Sequence, residues 1–151
     1  PRYLSGKGFD NSFIKEDNDI EVINNFEEKL IQTLNFLQNK NKVILLYPIP
    51  EQGWNVPELY FYGKFEWGDT ISYPSSIWYE RVEASNKILD KVNSKNLLRI
   101  YSDKIFCDSF LNDQCVAAYG DSIYYQDDDH LSIEGSRLLA KEILILLNNR
   151  N

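Results

Sequence analysis

Methionine is absent from this 151-residue chain, and histidine occurs once, at His130. One imidazole and two cysteines are too few for a structural zinc site, which wants four Cys or His ligands. Basic residues are in deficit, 16 Lys and Arg against 23 Asp and Glu. A net charge of -7 argues against nucleic acid or an anionic membrane surface as the main partner. No apolar run approaches the roughly 20 residues of a spanning helix; the longest, such as Val43 to Tyr47, are strand-sized. No signal peptide is visible at Pro1-Arg2-Tyr3. With no initiating Met, the chain is expected to be a processed or excised piece of something longer. It holds no repeat, low-complexity tract or domain linker, so it reads as one domain at most, residues 1–151. It is long enough to bury a core, and its apolar and charged fractions are ordinary for a globular protein.

Residues 1–16 read as an irregular lead-in, with Gly6, Gly8 and Asn11 supplying turns. Asn18 with Glu21 resembles a capping box. Ile23, Phe26, Leu30, Leu34 and Leu37 recur at helical spacing, which predicts an amphipathic helix over 19–39. Val43 to Tyr47 is short and continuously apolar, as in a parallel strand covered on both faces, and Pro48 and Pro50 end it. Residues 51–74 form a long aromatic loop. Ser75 or Ser76 can cap a helix over 77–93, packed through Trp78, Val82, Leu89 and Val92. Leu97 to Tyr101 is a second buried strand, and 102–126 hold the cysteine loop and one or two short extended pieces. Ser132 caps a last helix over 133–148, with Leu139, Ile143, Leu146 and Leu147 on its face. This order predicts a parallel α/β layer. Two strands are few for such a sheet, so more are expected before Pro1.

The chemistry concentrates at Asp127-Asp128-Asp129-His130-Leu131-Ser132. The imidazole can take and return a proton near neutral pH. A carboxylate three residues earlier can hold its tautomer and stabilise the cation. Together they are half of a hydrolase triad, and in open α/β sheets such loops face the ligand crevice. The alternatives are a solvated acidic loop before a helix and a metal site of the three Asp and His130. Gly120-Asp121-Ser122 carries the nucleophile signature of one hydrolase class. A nucleophilic serine, however, wants a buried strand before it and a helix after it, so that backbone N–H groups form an oxyanion hole. Val116 to Tyr119 is weak as a strand and Ile123 to Tyr125 is extended, so Ser122 reads as a turn.

Pro48-Ile49-Pro50-Glu51-Gln52-Gly53-Trp54-Asn55-Val56-Pro57 reads either as a wall of the active site or as an ordered crossover. The aromatics of 54–79 (Trp54, Tyr60, Phe61, Tyr62, Phe65, Trp67, Tyr73, Trp78 and Tyr79) can stack on sugar faces or tuck the loop against its own domain. Cys107 and Cys115 flank a polar loop with seven residues between them. They read as a disulfide staple, which implies an oxidising compartment, or as two reduced thiols.

These pieces together resemble the SGNH (GDSL-like) hydrolase domain fused to the C-terminus of membrane acyltransferase-3 proteins, which O-acetylate bacterial surface polysaccharides. The resemblance rests on the strand ending in Pro-x-Pro-Glu-x-Gly-Trp, the Cys pair, and Tyr-Tyr-x-Asp-Asp-Asp-His-Leu-Ser-x-x-Gly. Arg2-Tyr3-Leu4-Ser5-Gly6 and Phe9-Asp10-Asn11 resemble a stretch in the middle of that domain. The resemblance implies that Asp127 and His130 are catalytic. It places the family's Gly-Asp-Ser nucleophile and oxyanion residues upstream of the Arg-Tyr-Leu segment, so this chain is similar to the C-terminal half of such a domain and is expected to be inactive by itself.

The expected parent fold is a three-layer α/β/α sandwich with a flavodoxin-like parallel sheet, here without its first strands. The expected chemistry is acyl transfer or ester hydrolysis on O-acyl groups of a cell-envelope glycan, with no cofactor. The expected partners are that glycan and the acyltransferase-3 membrane domain, on the periplasmic or extracellular side. A free secreted esterase, a noncatalytic carbohydrate-binding or structural module of the same fold, and a metal-binding acidic loop are the other readings.

Overall fold

A computed structural model describes residues 18–63 and 68–149, with side chains from residue 24 onward. The lead-in, the side chains of the Asn18–Glu21 capping box and of Ile23, and residues Phe65 and Trp67 lie outside what is described. Helix α1 (Asn18–Gln38) leads into strand β1 (Val43–Leu46), and helix α2 (Val56–Tyr62) and strand β2 (Gly68–Pro74) follow. Next come α3 (Ser75–Asp90), β3 (Leu97–Ile100) and the single turn α4 (Asp103–Phe106). Strands β4 (Gln114–Gly120) and β5 (Ser122–Ile123) precede the last helix, α5 (Ile133–Asn148).

Both apolar runs form strands, and they pair in parallel, Val43 opposite Leu97 through Leu46 opposite Ile100. Alternation decides what each face meets. Val43, Leu45 and Leu97 pack against Leu30, Ile31 and Leu34 of α1 and against Val92. The opposite face is covered only over β3, where Leu98 and Ile100 are buried and α5 makes contact. On β1 the same face leaves Ile44 and Leu46 41% and 40% exposed. The expectation of a strand covered on both faces therefore fails for β1. Its outer edge also has no partner strand among the described residues.

The second sheet is antiparallel, in the order β2-β4-β5. It was not anticipated, because residues 51–74 read as loop and Val116 to Tyr119 as weak strand. Both readings are corrected. Cys115, Val116, Ala117 and Ala118 are fully buried in β4, and small side chains there let Phe106, Tyr73 and Tyr125 close over the sheet. Loop 51–74 holds α2, capped by Asn55, whose side chain accepts from the Glu58 N–H, with Pro57 in the first turn. Most of its aromatics serve the core. Trp54, Tyr60 and Tyr73 are buried, whereas Phe61 and Tyr62 face outward; Trp78, on α3, is buried as well.

Helix α3 begins at Ser75 without a side-chain cap; the Ser75 hydroxyl instead donates to Asp108 at 3.2 Å. Cys107 and Cys115 form a disulfide. It ties α4 to β4, and the loop it closes turns through left-handed residues at Asp108 and Asp113.

Candidate active site

The stretch Gln126 to Ser132 is a tight turn between the end of the second sheet and α5. Its ends are clamped by backbone: the Gln126 N–H donates to the His130 carbonyl at 2.9 Å, and Ser132 N–H to the Tyr124 carbonyl at 2.9 Å. Ser132 caps α5 as expected, its hydroxyl oxygen accepting from the Gly135 N–H. The same hydroxyl donates to the Ile123 carbonyl at 2.6 Å. Gly135 is required by closeness: a Cβ there would overlap the Tyr124 carbonyl. The Ser-x-x-Gly of the motif thus docks the helix start against the strand end that leads into the turn.

Asp127 organises the turn with both carboxylate oxygens. Oδ1 accepts the backbone N–H of Asp129 at 3.0 Å and of His130 at 2.7 Å. Oδ2 lies 2.9 Å from His130 Nδ1. Asp129 Oδ1 approaches the same nitrogen at 2.9 Å. Backbone hydrogen bonds from His130 and Asp129, then the His130 side chain, hold the Asp127 carboxyl down at about 2. The imidazole moves the other way. Its hydrogen bond to Asp127, with the charges of Asp127 and Asp129, raises its basicity above the ordinary histidine value.

With Nδ1 facing two carboxylates, the neutral ring carries its proton there, which leaves Nε2 with a lone pair. The His130 side chain is 67% exposed, so that nitrogen is open to a reacting group. Asp127 and His130 are therefore brought together as the spacing implied. Asp129 joins them, which the spacing alone did not show.

Ser122 is not brought into this group. Gly120, at φ 58°, and Asp121 link β4 to β5, so Gly-Asp-Ser sits in a strand–turn–strand hairpin. A nucleophile elbow needs a helix after the serine, to aim backbone N–H groups at an oxyanion.

The proline loop after β1 proves to be the neighbour of the turn. The Gln52 N–H donates to the Asp128 carbonyl at 2.7 Å and the Val56 N–H to the Asp127 carbonyl at 3.2 Å. The sequence offers this loop as a wall or as an ordered crossover and does not show these bonds, because backbone carbonyls leave no mark in residue identity. Beside the turn, a shallow groove runs over Phe61, Asp121, Ile123, Gln126, Ser132, Ile133 and Glu134. His130 stands next to this groove in sequence but is not among its lining residues.

A parallel strand pair, flanking helices and a carboxylate–histidine turn at the start of the last helix describe an α/β domain of the hydrolase type. The chain belongs to the family described as "SGNH domain (fused to AT3 domains)", which it matches over residues 1–144. No curated protein and no solved structure matches it. It is thus an SGNH-type acyltransferase or esterase domain. No helix among the described residues is long and apolar enough to cross a membrane.

Proposed function

We propose that this chain supplies the base half of a serine acyl-transfer site, with His130 as base and Asp127 as its orienting carboxylate. The observation that carries the reading is the exposed imidazole held at 2.9 Å from Asp127, whose own carboxylate is pinned by two backbone N–H groups. In the first step a serine hydroxyl attacks the ester carbonyl while His130 Nε2 takes its proton. The imidazole then returns that proton to the departing alkoxide, leaving the acyl group on serine. In the second step a sugar hydroxyl or water attacks the acyl-serine, and His130 again takes and returns the proton.

The serine lies outside this chain, on a strand that pairs with the free edge of β1. Strands pairing there in parallel end beside the loop that holds the Asp127–His130 turn, and the exposed Ile44 and Leu46 offer an apolar face to the helix that connects such strands. The acyl group belongs to a cell-envelope glycan. Exposed Phe61 and Tyr62 offer rings to sugar faces, and Asp121, Gln126 and Glu134 offer hydrogen-bond partners to hydroxyls. The disulfide supports an extracytoplasmic site, and the membrane acyltransferase-3 domain is the partner within one polypeptide.

In the complete protein, His130→Ala should abolish acyl turnover and leave the fold intact; turnover at the wild-type rate would refute the base role. A second reading has one observation in its favour, since ligand atoms of Asp127, Asp129 and His130 lie within 4.8 Å of one another. Calorimetric titration with calcium or manganese separates the two. Heat at millimolar ion that vanishes in Asp129→Asn would support a metal site, and no heat would remove it.

A further inference from the structure

Gln52 is a polar side chain that the proposed chemistry does not use, and it is fully buried. Its Nε2 donates to the Pro50 carbonyl at 3.1 Å. The rest of its amide lies against the phenol of Tyr125, which is also fully buried. Neither the Tyr125 hydroxyl nor Gln52 Oε1 completes a hydrogen bond of ordinary geometry. A buried polar atom left in that state is costly, so an apolar residue of the same length would serve better as mere filling. The position of Gln52 supplies a reason for the amide. Its own N–H holds the Asp128 carbonyl, the Val56 N–H four residues on holds the Asp127 carbonyl, and Tyr125 is the residue that enters the turn. Gln52 therefore touches the turn by backbone and its approach by side chain.

We propose that Gln52 is a positioning residue: its amide, bonded to the Pro50 carbonyl and packed beside the Tyr125 phenol, fixes the loop whose N–H groups grip the Asp127 and Asp128 carbonyls and so keep the Asp127 side chain in register with the His130 ring. The assignment rests on the relay reading above. Without the amide, loop 50–56 relaxes, the two carbonyl contacts loosen, and the carboxylate–imidazole pair loses its registry. A misplacement of this kind lowers the rate of a bound substrate's reaction more than its binding.

The test uses the complete protein with ¹⁵N-labelled histidine, the His130 signal being the one lost in His130→Ala. Gln52→Met keeps the length and removes the donor. It should lower the His130 titration midpoint toward the ordinary value near 6.5. With p-nitrophenyl acetate as probe it should lower kcat about tenfold, with KM held within about twofold. In Gln52→Glu a buried acid stays protonated, and its O–H can replace the donor to Pro50, so both properties should return toward wild type. A folded Gln52→Met with an unshifted midpoint overturns the assignment, as does a Gln52→Glu no better than Gln52→Met. Should Gln52→Met not fold, Tyr125→Phe takes its place, since it strips the phenol from the amide and keeps the ring; an unchanged midpoint there also overturns it. A wild type inert toward the ester would remove the acyl-transfer reading, while the midpoint would still decide the role of Gln52.

Discussion

His130 and the two carboxylates on its Nδ1 set a pH dependence whose sign follows from the directions of their shifts. In the proposed relay the neutral imidazole is the base, and the ring is more basic than an ordinary histidine. Ester turnover should therefore rise with pH through a midpoint above about 6.5. Asp127→Asn should move that midpoint down and lower kcat by about 10²–10⁴-fold, since it removes the orienting acceptor. Asp129→Asn should do less, because Asp129 lacks the paired backbone bonds that hold Asp127. A rate profile measured from pH 5 to 9 on the three proteins checks this, and equal losses in both variants would contradict the ranking. Stability follows the same linkage. The pairing is fully present below the unfolded histidine value near 6.5, and is lost as pH rises through the higher folded one. Asp127 contributes above its unfolded value near 3.9, and that contribution fades as pH falls through about 2.

The elements divide into those legible from pattern and those hidden by their burial. Helices α1, α3 and α5 follow from apolar spacing, and β1 and β3 from short continuous runs. Strand β4 escaped because Ala117 and Ala118 carry little side chain, so a fully buried strand reads as bland. Strand β2 escaped because its Gly68, Asp69 and Pro74 are turn formers; only its cross-strand partners on β4 make it a strand. Likewise the Asp127–His130 pair was legible, whereas its support from Gln52 and Val56 was not, being made through backbone. Two tests belong to elements. Gly135→Ala forces α5 away from the Tyr124 carbonyl and should cost about 1–3 kcal/mol in denaturant unfolding. An unchanged midpoint would show that the helix start is not docked there. Replacing Cys107 and Cys115 by serine should cost about 2–3 kcal/mol, the entropy of the small loop they close. Thiol labelling of the untreated protein should find both blocked until reduced.

In the molecule as a whole, the apolar surface exposed on β1 and the proposed relay, whose Nε2 meets no hydroxyl among the described residues, point to the same place. A strand added at that edge would end beside the loop that grips the turn, and the helix connecting it to the sheet would cover Ile44 and Leu46. The chain's own Gly-Asp-Ser does not suit the role, because its hairpin gives the serine no helix start. On the proposed reading, the nucleophile and the base of one site are separated in sequence and joined by sheet order. A serine-directed fluorophosphonate applied to the complete protein, with the modified peptide read by mass spectrometry, examines that arrangement directly. The adduct should fall on a serine outside residues 1–151, persist in Ser122→Ala and disappear in His130→Ala. An adduct on Ser122, or labelling that survives the loss of His130, would contradict it.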